Sequence, residues 1–480
     1  MNPKVSVGVV YVTAMFMAIM DVTIVNVAIP TLGRDFHVSA TSVDAVVVSF
    51  LVSLAVFIPA SGWMADRFGD KRVLLAAITL FTLASALCGL AQSLPELVAF
   101  RILQGVGGGM LTPVGMSMLY RTFAPHERIR ASRILILPTA LAPALGPVIG
   151  GVFVTELSWR WVFYVNVPIG CFAVIFGALF LRGHREKEVG SFDWAGFLLA
   201  GLGFASLMYA VSEGASLGWR APRILATGAT GVVLLIGLVL VELRMPSPML
   251  NLRLMKDRLF RTTNIVMLLG LSGFLGSLYL VALFYQYGLG HTALASGLAT
   301  FPEAIGVMVG GQVSTRLYPR LGPRRIMAAG LTAVAVVLAC MSRVNAGPDT
   351  LWIMRGLIFV LGYSMSHVFV PAGAAAFASI SSSETAHASA IFNSVRQISG
   401  AIGVAVLTTV VAAVGPFHLV GHTLVPQLAA YHAAFLTAAA IALVAAGAAL
   451  TIRDSDAAPS MRRIAPPVAA DTALPSALGS

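Results

Sequence analysis

Charge is what this chain lacks. Only 11% of its 480 residues are Asp, Glu, Lys or Arg, where a soluble domain carries about a quarter. Hydrophobic residues make up 58%, in runs too long for core strands or helices. That balance excludes a soluble domain and indicates a polytopic membrane protein. Cysteine is also scarce. Cys88, Cys171 and Cys340 all fall in apolar runs without CxxC spacing, which supports neither a disulfide framework nor a metal site. No HExxH, GxSxG or paired His/Cys ligands occur, so neither an enzyme nor a bound metal or cofactor is expected. A membrane sensor would add a soluble output domain, and the longest polar stretch is the C-terminal one. The net charge of +11 would suit nucleic acid, but the basic residues sit in alternate loops, as membrane topology requires. No nucleic-acid partner is expected.

A membrane-spanning helix needs about 20 apolar residues. By that ruler the chain is all-α, with fourteen spans: 8–29, 44–65, 73–92, 96–119, 133–154, 161–181, 193–213, 223–243, 262–287, 294–315, 325–342, 350–373, 386–413 and 428–452. The first follows a single Lys and has no small-residue cleavage site, so it is expected as an uncleaved helix rather than a signal peptide. Of the 31 Lys and Arg, Arg34, Arg160, Arg220, Arg223 and Arg343 fall in loops on one side. Arg101, Arg355 and Arg396 fall inside spans, and the rest crowd the other side. The positive-inside rule then puts both termini in the cytoplasm.

The spans repeat. Asp66-Arg67-Phe68-Gly69-Asp70-Lys71-Arg72 returns, altered, as Pro319-Arg320-Leu321-Gly322-Pro323-Arg324-Arg325. Arg101, Gly108 and Gly146 map to Arg355, Gly362 and Gly400 at a constant offset of 254. Duplicated halves of this kind are a transporter architecture. The expected organisation is a six-helix bundle over 1–182, two unmatched helices over 183–258, a second six-helix bundle over 259–453 and a disordered cytoplasmic tail over 454–480.

In the first basic turn, Gly62 permits close helix approach and Gly69 a tight turn. Asp66 can cap a helix or pair with Arg, while Arg67, Lys71 and Arg72 suit a cytoplasmic anchor. Span five holds Ala142-Pro143-Ala144-Leu145-Gly146-Pro147-Val148-Ile149-Gly150-Gly151. Its prolines and glycines make a smooth, kinkable face, and Gly146 and Gly150 stand at GxxxG spacing for helix contact. The Trp and Tyr of the run from Ser158 to Gly170 suit an interfacial belt. His367, alone on an apolar helix, suits packing.

The intramembrane charges are the sharpest features. A carboxylate inside a span costs about 2.5–3.5 kcal/mol and normally faces a cavity or a partner, which suits Asp21 to taking up and releasing a proton. Glu303, after Pro302, is the second such acid. At about 1.5 Å per residue, Asp21 and Glu303 both lie roughly 13 Å and Arg101 roughly 8 Å from the outer boundary. Arg396 is near mid-span. A network of Asp21, Arg101, Glu303 and Arg396 is therefore allowed by depth, with Asn26 and Arg355 as further polar candidates. At the repeat offset Asp21 and Glu303 face Leu275 and Ser49, so neither acid is duplicated.

The basic turn resembles the loop signature of the major facilitator superfamily. The unmatched central pair, the run from Asp21 to Pro30 and the run from Ser158 to Gly170 resemble its fourteen-helix drug:proton antiporter branch (EmrB/QacA type). The span-five segment resembles the antiporter signature of exporters in the superfamily, with Ala142 where Gly is usual. The stretch from Arg101 to Gly109 resembles the helix-four proton-coupling signature. The resemblance implies a multidrug efflux transporter in the bacterial inner membrane, working by alternating access. The proton gradient would be its energy source and amphipathic cationic or neutral small molecules its substrates. Asp21, Glu303 and Arg101 would couple protons, Gly62, Asp66, Arg67, Gly69, Lys71 and Arg72 would form a cytoplasmic gate loop, and Gly146, Pro147, Gly150 and Gly151 an antiporter helix. A periplasmic adaptor with an outer-membrane channel stays open as a partner. A carrier of one metabolite or lipid, or an importer, is the alternative on the same scaffold.

Overall fold

The structure is a computed structural model. It describes residues 2–461 apart from 39, 128, 130–135, 185–189, 246–247, 291–292, 348, 416 and 421–422. Helix α1 spans Pro3–Asp35, α2 Ala40–Phe68, α3 Asp70–Leu90 and α4 Leu94–Thr122. Helix α5 is Ile136–Val152, and α6 is the turn Trp161–Tyr164 running on into Asn166–Phe180. The pair α7 (Trp194–Leu217) and α8 (Pro222–Arg244) is followed by α9, Arg258–Leu283. One long helix, Ala293–Met341, bends at Gly322 into two arms, α10 (293–321) and α11 (323–341). Helices α12 (Thr350–Ala376), α13 (Thr385–Val414) and α14 (Leu428–Leu450) complete the array.

Among the described residues, twelve helices are long and apolar enough to cross a membrane. The expected spans 294–315 and 325–342 are the two arms of one of them. The expected span 133–154 begins outside the described residues, and its described part is the 17-residue α5. A two-stranded antiparallel hairpin, Phe417–Val420 with Thr423–Pro426, joins α13 to α14. It lies between the spans, where span-length reasoning gives no signal for it.

Local chemistry sets the helix ends. Asn2, Ser93, Asp193 and Asp257 each accept a first-turn backbone N–H at the start of α1, α4, α7 and α9, satisfying donors that a helix leaves open. Gly69 and Gly322 take positive φ, 91° and 73°, which a side chain disfavours. Both copies of the basic turn therefore hinge on glycine. Lys4 reaches both oxygens of Glu127 at 2.7 and 2.6 Å, and these hydrogen bonds hold the Glu127 carboxyl below its ordinary range.

Small residues let the helices close up. A Cβ on Gly105 would lie 2.6 Å from the Phe50 carbonyl oxygen on α2, and one on Gly107 would lie 2.8 Å from the Ala77 oxygen on α3. Helix α4 thus beds against α2 on one side and α3 on the other. Helix α1 packs on α4, α5 and α6. In the second half α9 packs on α13 and α14, and α12 on the bent helix. The pair α7–α8 packs on itself and rests on α2. The two sets meet where α13 crosses α2 and α4 and where α10 crosses α5.

Two expectations need correction. The first eight residues of the expected disordered tail, 454–461, are folded. Asp454 caps α11 by accepting the Arg324 N–H at 3.0 Å, and Ser460 bonds the buried Tyr318 hydroxyl at 2.8 Å. Composition alone misses such anchoring. Residues 462–480 lie outside the described residues. Trp159, expected in the interfacial belt, is 2% exposed and donates to Asp35 at 2.7 Å, because its indole N–H finds a carboxylate at the end of α1. Its neighbour Trp161 is exposed.

Candidate functional site

Asp21 is fully buried on α1. Its Oδ2 meets Arg101 Nη1 of α4 at 2.5 Å. Its Oδ1 accepts from Gln104 Nε2 at 2.8 Å and from Asn166 Nδ2 of α6 at 3.0 Å. Arg101 also donates from Nε to the Val46 carbonyl at 3.1 Å and from Nη1 to Gln104 Oε1 at 2.7 Å. Its guanidinium lies 4.1 Å from the centre of the Phe50 ring. Asn166 reaches Ser85 Oγ on α3 at 3.0 Å, and Ser85 donates to the Phe163 carbonyl at 2.9 Å. Five helices of the first half thus contribute to one cluster, with α4 and α6 bonding the carboxylate and α2 and α3 holding its partners. A buried ion pair offsets its desolvation only when further hydrogen bonds complete it, and here both partners have them.

Glu303, on α10, has different surroundings. It lines a cavity of about 250 Å³ with Arg396 of α13, Met15 and Ile19 of α1, Phe274 of α9 and Phe369 of α12. No hydrogen bond or ion pair to the Glu303 carboxyl occurs among the described residues. Arg396 also lines a neighbouring cavity of about 560 Å³, together with Asn26, Val47, Met208 and Tyr279. The walls of both cavities come from both sets of helices and are mostly apolar. The four charges that depth allows in one network thus sit as two pairs. Asp21 and Arg101 are bonded, while Glu303 and Arg396 share a cavity wall. Arg355 stands apart, its guanidinium 4.8 Å from the centre of the Trp352 ring.

At the end of the helices that carries the N-terminus, the two sets are shut against each other. Asp66 Oδ1 pairs with Arg121 Nη2 at 2.9 Å, and His387 Nε2 of α13 faces Asp66 Oδ2 at 3.5 Å. Arg121 Nε donates across to the Ser382 carbonyl at 2.9 Å. A Cβ on Gly62 would lie 3.2 Å from the Ala386 carbonyl oxygen, so a side chain there would press on the backbone of α13 at this crossing. Tyr120 stacks on Phe377 with ring centres 4.4 Å apart. Of the other loop residues, Lys71 donates to the Ala178 carbonyl at 2.8 Å, whereas Arg67 and Arg72 are exposed.

Gly146 and Gly150 face α1. A Cβ on Gly146 would run into Thr23, and one on Gly150 would lie 2.9 Å from Ile24. Gly151 has open space around it. The Pro147 side chain lies outside the described residues. His367 Nδ1 lies 2.9 Å from the Tyr363 carbonyl oxygen, within its own helix.

Gln104, Asn166, Ser85, Arg121 and His387 are functional neighbours that sequence reasoning misses. Gln104 has a usable signal, because it stands three residues after Arg101 on the same helix face. The others reach their partners across long sequence separations.

A family model described as Major Facilitator Superfamily matches residues 11–404. The "Uncharacterized MFS-type transporter YhcA" of Bacillus subtilis is 32% identical over 418 residues, 87% of this chain and 78% of that protein. The "Multidrug resistance protein B homolog" of Mycobacterium tuberculosis is 32% identical over 402 residues, 83% of this chain and 74% of that one. The crystal structure of the human organic anion transporter MFSD10 (TETRAN) superposes with a TM-score of 0.67 at 16% identity, covering 94% of this chain and 100% of that one. That last likeness concerns the fold.

Proposed function

The chain belongs to the Major Facilitator Superfamily, and from that premise we propose that it is a proton-coupled exporter of small amphipathic, cationic or neutral compounds. It belongs, on this proposal, to the fourteen-helix drug:proton antiporters, with α7 and α8 inserted between bundles 1–182 and 259–453. It sits in a bacterial inner membrane with both termini cytoplasmic.

One observation carries the proposal. An apolar cavity between the two sets of helices holds a carboxyl, Glu303, without a partner among the described residues, and the passage is shut at the N-terminal end by Asp66, Arg121 and His387. The relatives named for multidrug resistance support the same class of cargo. In this state the cavity side opposite the closure receives protons. Protonation of Glu303 removes the charge that would hold a cationic compound and so favours release. Protonation of Asp21 frees Arg101 from its closest anion and loosens α1 from α4. Rocking of the bundles then opens the closure, and substrate replaces the proton from the cytoplasm.

The test is substrate-driven proton movement in proteoliposomes with the variants Asp21→Asn and Glu303→Gln. Both are expected to lose coupling, and Glu303→Gln to lose cationic substrates more than neutral ones. Unchanged coupling in both would remove the proton role. Accumulation in inverted vesicles distinguishes export from import.

A further inference from the structure

The inserted pair α7–α8 ends at the N-terminal side in a buried acid that the proposed cycle does not use. Glu242, in the last turn of α8, is fully buried. Its oxygens accept the Leu250 N–H at 3.1 and 3.2 Å. Asp193, which caps α7 through Gly196 N–H at 2.7 Å, turns its other oxygen to the same place. Asp193 Oδ2 and Glu242 Oε1 both crowd the position that a Cβ on Gly196 would take. One residue before Leu250, the Met249 carbonyl meets His387 Nδ1 at 3.1 Å. The opposite ring nitrogen of His387 is the one facing Asp66 at 3.5 Å.

We propose that Glu242 is a positioning residue of the N-terminal-side closure. It fixes the connection after α8 so that the Met249 carbonyl orients His387 against Asp66. A buried carboxyl is costly unless hydrogen-bonded, and the bonds of Glu242 go to the backbone of this connection. The carbonyl of Met249 accepts the Nδ1 proton, and Nε2, turned toward Asp66, pairs with it in the imidazolium form, in which both ring nitrogens carry a proton. The connection is thus a strut: α7 and α8 hold one end, and α13 bears on the other. The inserted pair rests on α2 and touches α13 directly through α7; through this strut it also reaches the closure and biases the closed state. The proposal rests on the closure being one state of the cycle described above.

Spin labels at Arg67→Cys and Ser383→Cys, both exposed positions, report the closure in the full chain in nanodiscs, with the three native cysteines replaced by Ala. One short distance is expected to dominate. Glu242→Leu, which fills the space without an acceptor, is expected to raise the open-to-closed ratio about five-fold, the effect of one lost hydrogen bond. Glu242→Gln keeps an acceptor for Leu250 and sets an amide donor against Asp193, so it is expected to retain the short distance. His387→Ala should shift the ratio as Glu242→Leu does, and the double variant no further, because both cut one path. An unchanged distance in Glu242→Leu, or additive shifts in the double variant, would overturn the proposal. The measurement uses neither substrate nor a proton gradient, so its failure leaves the exporter reading standing.

Discussion

Ser389 on α13 donates its hydroxyl to the carbonyl of Pro113 on α4 across 2.7 Å. Both residues are buried, and the bond joins the two sets of helices where α13 crosses α4. One helical turn on, Asn393 Nδ2 approaches Met116 Sδ at 3.5 Å. Interhelical hydrogen bonds of this kind contribute about 0.6 kcal/mol on average in membranes. Ser389→Ala is therefore expected to shift the population modestly, about three-fold, toward opening at the N-terminal side. Alkylation of a single cysteine placed at Gly373, in the cavity wall, would read it from that side; an unchanged rate would mean that the bond holds no part of the closure.

The two copies of the basic turn should differ in weight. Asp66 is buried, paired with Arg121 and faced by His387, whereas Arg320 is exposed. Charge-assisted bonds contribute about 1.5–3 kcal/mol when one partner is lost. Asp66→Asn is expected to reduce transport at least ten-fold, and Arg320→Gln less than two-fold. Initial efflux rates at matched protein levels check this, and equal losses would refute the ranking.

How far this was legible in the sequence depends on what each residue's neighbours are made of. Asp21 announced itself because a carboxylate among apolar residues needs a reason, and depth allowed Arg101 as a partner without showing the contact. Gln104 and Asn166 did not, because neutral amides scarcely interrupt an apolar run and their meeting depends on three helices packing. Asp66 was visible as an acid among cations, but its partners lie 55 and 321 residues further on, Arg121 and His387. The turn at Gly322 was legible as a break between spans. That the chain resumes as one bent helix, with Asp454 capping the second arm, was not, since the cap comes from a segment whose Ala, Pro and Ser content suggests disorder. Glu242 passed as the end of a span, because its role lies in backbone groups of the following connection.

The glycines of α5 separate by what lies opposite them. Gly146 meets Thr23 and the backbone of Ile24, while Gly151 meets nothing within 4 Å. Gly146→Ala forces α5 away from α1, an overpacking cost of about 1–3 kcal/mol. Gly151→Ala should stay within about 0.5 kcal/mol. Thermal unfolding of the purified variants in detergent is expected to show a lowered midpoint for Gly146→Ala and an unchanged one for Gly151→Ala. Equal midpoints would mean that the α1–α5 contact relaxes freely.

Arg101→Lys tests whether the Asp21 cluster needs a guanidinium or only a positive charge. Arg101 uses Nε for the Val46 carbonyl, Nη1 for Asp21 and Gln104, and its flat face for Phe50. An ammonium is a compact point charge and cannot meet these partners while lying flat on the ring. Leaving a buried carboxylate poorly paired costs up to about 3–5 kcal/mol. Arg101→Lys is therefore expected to lower the unfolding midpoint and abolish coupling, while Arg101→Lys combined with Asp21→Asn should recover part of the stability without the coupling, since no buried anion is then left exposed to a poor partner. Thermal unfolding beside proton-release assays on the same preparations separates the two effects. A coupled, fully stable Arg101→Lys would show that charge alone suffices at this position.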